Sequence, residues 1–225
     1  MAGVSRETEA ELRRRLQPVL DLLGSDPASL SSVPARDRWR VHVEDSLSGL
    51  ELVGTPQRVA DVGAGAGFPG LVLAAALPDT QVDLIESIGR KAAFIERAIA
   101  AGGIANARAV AARSEDWAAG EGREAYDVVT ARAVGRMATL AELASPLLRE
   151  GGRLVAWKGK RDPDEEAELE RATDAVAMAP GEIHGAAGAA GFEHRHLHVV
   201  VKSGPTPPGL PRRAGIAKKR PFGRA

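Results

Sequence analysis

The stretch Val59-Ala-Asp-Val-Gly63-Ala-Gly65-Ala-Gly67-Phe-Pro-Gly70 constrains the fold more than any other part of the chain. An apolar strand-like segment over 58–62 runs into a cluster of glycines, and a helical segment over 68–77 follows. Glycines at such a handover let the backbone turn sharply and let a ligand approach the main chain. The helix start behind them offers unpaired N–H groups and a partial positive charge.

The remaining pattern agrees with that handover. Strand-like segments over 81–85, 107–111, 126–130, 153–157 and 197–202 alternate with helical segments over 89–101, 137–149 and 162–178. Strands spaced by helices of this length predict parallel pairing with right-handed crossovers, an α/β sheet covered on both faces. Upstream, Leu12, Leu16, Val19, Leu20 and Leu23 fall at helical spacing over 6–23, with Pro18 expected to bend or interrupt that helix. A second helix is predicted over 36–52, and the Gly/Ala-rich 181–191 reads as a loop. The expected division is a helical region over 1–54 packed on the core, a Rossmann-like domain over 55–202, and a flexible Pro/Gly-rich tail over 203–225.

Charge needs reading by position. The chain holds 30 basic and 30 acidic residues, a net charge of zero that speaks against a nucleic-acid partner. The last 23 residues, however, carry Arg212, Arg213, Lys218, Lys219, Arg220 and Arg224 and no acid, leaving the first 202 residues with 24 basic against 30 acidic. The absence of cysteine excludes disulfides, zinc-thiolate sites, iron–sulfur clusters and a thiol nucleophile. The longest apolar run, 71–77, falls short of the ~20 residues that span a bilayer. With no signal-peptide core at the N-terminus, the expectation is a cytoplasmic protein without a membrane partner.

The glycines Gly65, Gly67 and Gly70 match a dinucleotide-binding spacing, but two neighbours oppose a phosphate there. Pro69 removes one N–H group, and Asp61 puts a carboxylate at the strand end. An acid before Gly-x-Gly suits a cationic cofactor such as S-adenosylmethionine, which has a sulfonium, an ammonium and no phosphate. Glu86, at the end of the second strand, is placed to accept two ribose hydroxyls, as it would for a dinucleotide as well. Ser114 and Glu115 stand where an adenine edge would lie, and Ser114 equally suits a helix N-cap. Arg132, past the fourth strand, suits bidentate contact with the cofactor carboxylate or an RNA phosphate. His42 and Asp45, three apart, share a helix face expected beside the glycine loop. Lys158 is either a phosphate contact or a solvated lysine. Asp83 reads as a surface carboxylate. His194, His196 and His198 alternate, and with no carboxylate in that strand they read as a solvent-facing set; no metal is expected.

Ordered blocks then carry a resemblance covering roughly 36–202. They are His42-Val-Glu-Asp-Ser46-Leu, Asp61 through Gly70 with its Phe-Pro-Gly ending, and Leu84-Ile-Glu-Ser87 with Arg90, Lys91 and Phe94. Arg113-Ser-Glu115, Thr130-Ala-Arg132-Ala and Trp157-Lys158-Gly159 complete them. The chain resembles the RsmG (glucose-inhibited division protein B) family of bacterial 16S ribosomal RNA guanine-N7 methyltransferases. The resemblance implies a class I methyltransferase fold with a mostly parallel seven-stranded sheet and S-adenosylmethionine as cofactor. It also implies 16S rRNA or the small ribosomal subunit as partner. It places cofactor contacts at Gly63, Phe68, Ser114, Glu115 and Arg132 and the ribose acid at Glu86, beside Asp61 and Gly65 from the loop itself.

The chemistry fits the residues. Guanine N7 offers a lone pair and no proton, so its methylation needs alignment and no general base. Cytosine C5 methylation commonly needs a cysteine, which is absent, and exocyclic-amine methylation often uses an Asn/Asp-Pro-Pro-aromatic loop where this chain has Thr130-Ala-Arg132-Ala. No catalytic residue is therefore assigned beyond the candidate Arg132. RNA-contact candidates are His42, Asp45, Lys158, Arg212, Arg213, Lys218, Lys219 and Arg220. A small-molecule methyltransferase of the same fold and a non-catalytic RNA-binding module are the rival readings.

Overall fold

The computed structural model describes residues 6–27, 29–186 and 194–224. α1 (Arg6–Ser25) leads through a 3₁₀ turn, Ala35–Asp37, into a π-helical turn, Trp39–Glu44, and the short helices α2 (Asp45–Leu47) and α3 (Leu50–Val53). Alternation follows: β1 (Arg58–Val62), α4 (Gly70–Ala76), β2 (Gln81–Ile85), α5 (Gly89–Gly102), β3 (Ala107–Val110), α6 (Ser114–Ala118), β4 (Tyr126–Arg132) and α7 (Met137–Ala144). The chain continues through β5 (Leu148–Lys158), α8 (Pro163–Val176), β6 (Met178–Gly185), β7 (His196–Lys202) and α9 (Ile216–Lys219).

Among the described residues these strands form one seven-stranded sheet in the order β3-β2-β1-β4-β5-β7-β6. The first five of that order pair in parallel, while β7 runs antiparallel to both β5 and β6. The order reverses between β1 and β4, and a crevice opens at the carboxyl ends of strands at such a point. Alternation along the strands divides the interior in two. Val59, Leu84, Val128 and Val155 face α4, α5 and α1, whereas Ala60, Ile85, Val129 and Leu154 face α7 and α8.

Several expectations change. α1 runs unbroken through Pro18. Leu12, Leu16, Val19, Leu20 and Leu23 are all buried, and the helix packs on α4 and α5. Burying each such side chain stabilises by roughly 1.5–3 kcal/mol, which together outweighs the ~3 kcal/mol cost of an internal proline. The helix expected over 36–52 is instead broken into 3₁₀, π and α turns. The 181–191 loop is in part β6, an edge strand exposed over much of its length, with 187–191 outside the described residues. Asp83 is buried, where Arg108 and Arg58 ion-pair with it and the Tyr126 hydroxyl donates to it at 2.6 Å.

The tail also departs from expectation, because it has anchors that composition does not reveal. Lys202, fully buried, donates to the Ser145 and Leu148 carbonyls and to Thr206 Oγ1. Leu210 enters the second core, and α9 packs on α7 with Ala217 buried. No helix among the described residues is long and apolar enough to cross a membrane.

Candidate cofactor and substrate site

The glycine loop leaves β1 with Gly63, Gly65 and Gly67 at φ values of 65°, 61° and 90°. Only glycine adopts these without strain. The first turn is pinned by Gly63 N and Ala64 N, which donate to the Ile85 carbonyl at 2.9 and 3.1 Å. A Cβ built on Gly65 would meet nothing closer than the Gly63 carbonyl at 3.8 Å, so this glycine borders open space. Glu86 holds the loop from the next strand. Its Oε2 accepts from Gly65 N at 3.0 Å and its Oε1 from Ile88 N at 2.8 Å.

Asp61 lies beneath the loop, 1% exposed. Its Oδ2 accepts from Gly70 N at 3.0 Å and its Oδ1 from Thr130 Oγ1 at 2.9 Å. Burial pushes its pKa up to about 6, against the lowering effect of those two bonds and of Arg132. Asp61 therefore clamps the end of the loop to β4.

Beside the loop opens a cleft of about 490 Å³, within the usual range for a small-molecule site. Gly63, Ser87, Ser114 and Glu115 line one side, and residues of the C-terminal segment, among them Gly215 and Lys218, line another. Ser114 begins α6, whose N-cap position falls on Arg113, and its hydroxyl donates to Glu115 Oε2 at 3.2 Å. The other Glu115 oxygen accepts from Gly215 N at 2.7 Å.

A second cluster gathers at the end of β4. Arg132 donates from one terminal nitrogen to Asp45 Oδ2 at 2.9 Å and to the Val41 carbonyl at 3.2 Å. Its guanidinium sits 5.7 Å from the centre of the Phe68 ring, on which His42 stacks at 4.7 Å and 18°. Arg195 spans both oxygens of Asp45 at 2.7 and 3.1 Å. His42 Nε2 lies 2.9 Å from Ser31 Oγ, and burial, with Arg132 and Arg38 adding repulsion, pushes the ring's pKa down to about 4. His42 and Asp45 are thus buried beneath Arg132, which makes them supports for it; neither is placed to touch a phosphate. Arg195 and Thr130 had no signal of their own: one lies between histidines, the other inside a block quoted for its neighbour.

The remaining candidates separate. Lys158 is engaged, donating to Glu165 Oε1 at 2.7 Å and the Gly135 carbonyl at 2.9 Å. Arg212 forms a two-pronged ion pair with the buried Glu142. Arg213, Lys218, Lys219 and Arg220 remain exposed, and Lys218 and Lys219 border the cleft. His196 and His198 are buried, their Nε2 atoms 3.0 Å apart, so the expected solvent-facing set does not exist: β7 lies inside the sheet between β5 and β6.

Comparison with known proteins points one way. The family model described as rRNA small subunit methyltransferase G matches residues 28–197. A ribosomal RNA small subunit methyltransferase G from Roseiflexus castenholzii is 45% identical over 185 residues, covering 80% of this chain and 78% of that protein. One from Desulfitobacterium hafniense is 39% identical over 182 residues, covering 80% and 76%. Among solved structures, an O-methyltransferase from Bacillus cereus in complex with SAH superposes with a TM-score of 0.59 at 16% identity, covering 84% of this chain and 90% of that one. At that identity the likeness is one of fold.

Proposed function

Because the chain belongs to the rRNA small subunit methyltransferase G family, we propose that it methylates N7 of a guanine in 16S rRNA with S-adenosylmethionine as methyl donor. The observation that carries this reading is the open cradle at Gly65 joined to a Glu86 carboxylate already fixed in place. Each Glu86 oxygen accepts one backbone N–H and keeps lone pairs for ribose hydroxyls. Gly63, Ser114 and Glu115 line the cleft where the adenosine part fits.

Bound there, S-adenosylmethionine supplies an electrophilic methyl group on a sulfonium sulfur. Guanine N7 has no proton to lose, so no residue acts as a base and the chain's work is positioning. Arg132, pinned by Asp45 through one terminal nitrogen and lying 3.4 Å from His42 Nδ1 with the other, brings its positive charge to the cofactor carboxylate or to an RNA phosphate. Phe68, buried and stacked on His42, backs the Arg132 guanidinium at the same place. Arg213, Lys218, Lys219 and Arg220 are the phosphate contacts. A guanine within a fold must be unstacked to reach the cleft, which favours free or immature small subunits in the cytoplasm as substrate.

The test is to incubate the protein with radiolabelled cofactor and 16S RNA or small subunits from cells lacking the enzyme. Label should appear in 7-methylguanine; label in another nucleoside, or none, rejects the reading.

A further inference from the structure

The C-terminal segment walls the cleft on one side, and an arginine gives it a two-pronged ionic tie to the body. Ala214, Gly215, Ala217, Lys218 and Lys219 form a wall facing Gly63, Ser114 and Glu115. At the two ends of the segment, Arg123 donates to the Leu210 carbonyl at 3.3 Å and Arg171 to the Gly223 carbonyl at 2.8 Å. Gly215 N donates to Glu115 Oε1 at 2.7 Å, and Thr139 Oγ1 donates to the Ala217 carbonyl at 3.3 Å. The strongest attachment is Arg212. Its Nε and one terminal nitrogen meet the two oxygens of Glu142 at 2.6 and 2.5 Å, and Glu142 is 3% exposed on α7. The same guanidinium donates to the Arg220 carbonyl at 2.7 Å and lies over the Phe222 ring at 4.0 Å. One side chain thus ties both ends of the 212–222 segment to each other and to α7.

We propose that Arg212, acting through Glu142, is a positioning residue for cofactor binding: it sets how closely the C-terminal wall, anchored also by the buried Leu210 and Ala217, sits against the cleft. The proposal rests on the reading that this cleft holds S-adenosylmethionine. A fork matched to a buried carboxylate suits the task, since a planar guanidinium satisfies both oxygens while a lysine ammonium serves as a single point charge. The segment carries its exposed cations Lys218 and Lys219 on the wall itself, so cofactor closure and the phosphate-contact surface are set by one latch.

The experiment measures S-adenosylhomocysteine affinity by calorimetry, with methyl-transfer kinetics, for wild type, Arg212→Lys and Arg212→Met. Arg212→Met should bind at least ten-fold more weakly and raise KM for S-adenosylmethionine by a similar factor, with kcat at saturating cofactor and saturating RNA near wild type. Arg212→Lys should fall between. A fold defect alone would lower the melting temperature and active fraction without this split. Trypsin on the wild-type protein gives a second readout, independent of any variant. Saturating S-adenosylhomocysteine should slow cleavage after Arg213, Lys218 and Lys219 relative to the rest of the chain. Wild-type affinity in a folded Arg212→Met protein, or cleavage in the tail unchanged by the ligand, overturns the proposal. Absence of any binding by wild type rejects the cofactor reading first, and this one with it.

Discussion

Asp45 and Arg132, 87 residues apart in sequence, meet at 2.9 Å with the carboxylate wholly shielded from solvent. The carboxylate serves two guanidinium groups, since Arg195 takes both of its oxygens. Removing it leaves two partly buried cations facing each other. Asp45→Ala should therefore cost about 3–5 kcal/mol, the range for breaking a buried pair from one side. Asp45→Asn, which keeps the shape, should fold better yet lower kcat/KM by roughly 100-fold through a misplaced Arg132. Chemical denaturation and steady-state kinetics on the two variants separate these effects.

Asp61 predicts a pH signature. Its folded pKa of about 6 stands above the ordinary 3.8 because of burial. The folded state therefore holds the proton more tightly than the unfolded chain, and this site favours folding increasingly as pH falls from about 6 to about 4. Other carboxylates and the buried histidines titrate as well, so the difference between wild type and Asp61→Asn is the quantity to measure. Binding of the cationic cofactor should run the opposite way, weakening below about pH 6 in wild type and losing that dependence in Asp61→Asn.

The buried histidines make the chain sensitive to acid in another sense. His198 is pushed down to about 4, by burial first and then by His196, and His42 likewise. Each stays neutral in the folded state while the unfolded chain takes up a proton near 6.5, so stability is lost as pH falls from about 6.5 to about 4. Histidine ring spectra by NMR at pH 5.5 should show both rings neutral. His198→Gln should flatten the loss of urea midpoint between pH 7 and pH 5.

Two glycines of the loop should behave differently when given a methyl group. At Gly65 the methyl group enters open space, and the positive φ costs about 1–2 kcal/mol. Gly65→Ala should fold with modest loss and bind S-adenosylhomocysteine poorly. At Gly70 it meets Leu84 Cδ2 at 2.8 Å and Asp61 Oδ2 at 2.9 Å, so Gly70→Ala should lose more stability than Gly65→Ala. Melting temperatures and calorimetry on the pair check the contrast.

RNA affinity should carry the mark of the exposed tail cations. Replacing Arg213, Lys218 and Lys219 by alanine should flatten the plot of log affinity against log salt by about 2, at ~0.7 per phosphate contact on single strands. An unchanged slope would assign phosphate binding to other residues.

The parts of the candidate site legible in the sequence are those fixed by strand ends. Asp61, Gly63, Gly65, Glu86 and Ser114 follow from where β1, β2 and β3 stop, because a parallel sheet delivers its strand ends to one edge. What stayed hidden depends on contacts between distant segments. Glu142 and Arg212 lie 70 residues apart and Asp45 and Arg195 150 apart, and nothing local marks either pair. β6 hid for another reason: an edge strand containing Pro180 and Gly181, and exposed over much of its length, shows neither alternation nor a long apolar run. The tail misled because its composition is that of a flexible linker, while Leu210 and Arg212 supply one apolar and one ionic anchor that composition averages away.

The placement of the C-terminal wall bears on the order of events during synthesis. A chain made from its N-terminus exposes β1, the glycine loop and Glu86 long before residues 210–222 exist. All seven strands of the sheet, with the glycine loop and its Glu86 clamp, are in place while the last wall of the cleft is still missing. If Arg212 positions the wall as proposed, a nascent chain that lacks residues 210–222 is a poor ligand trap.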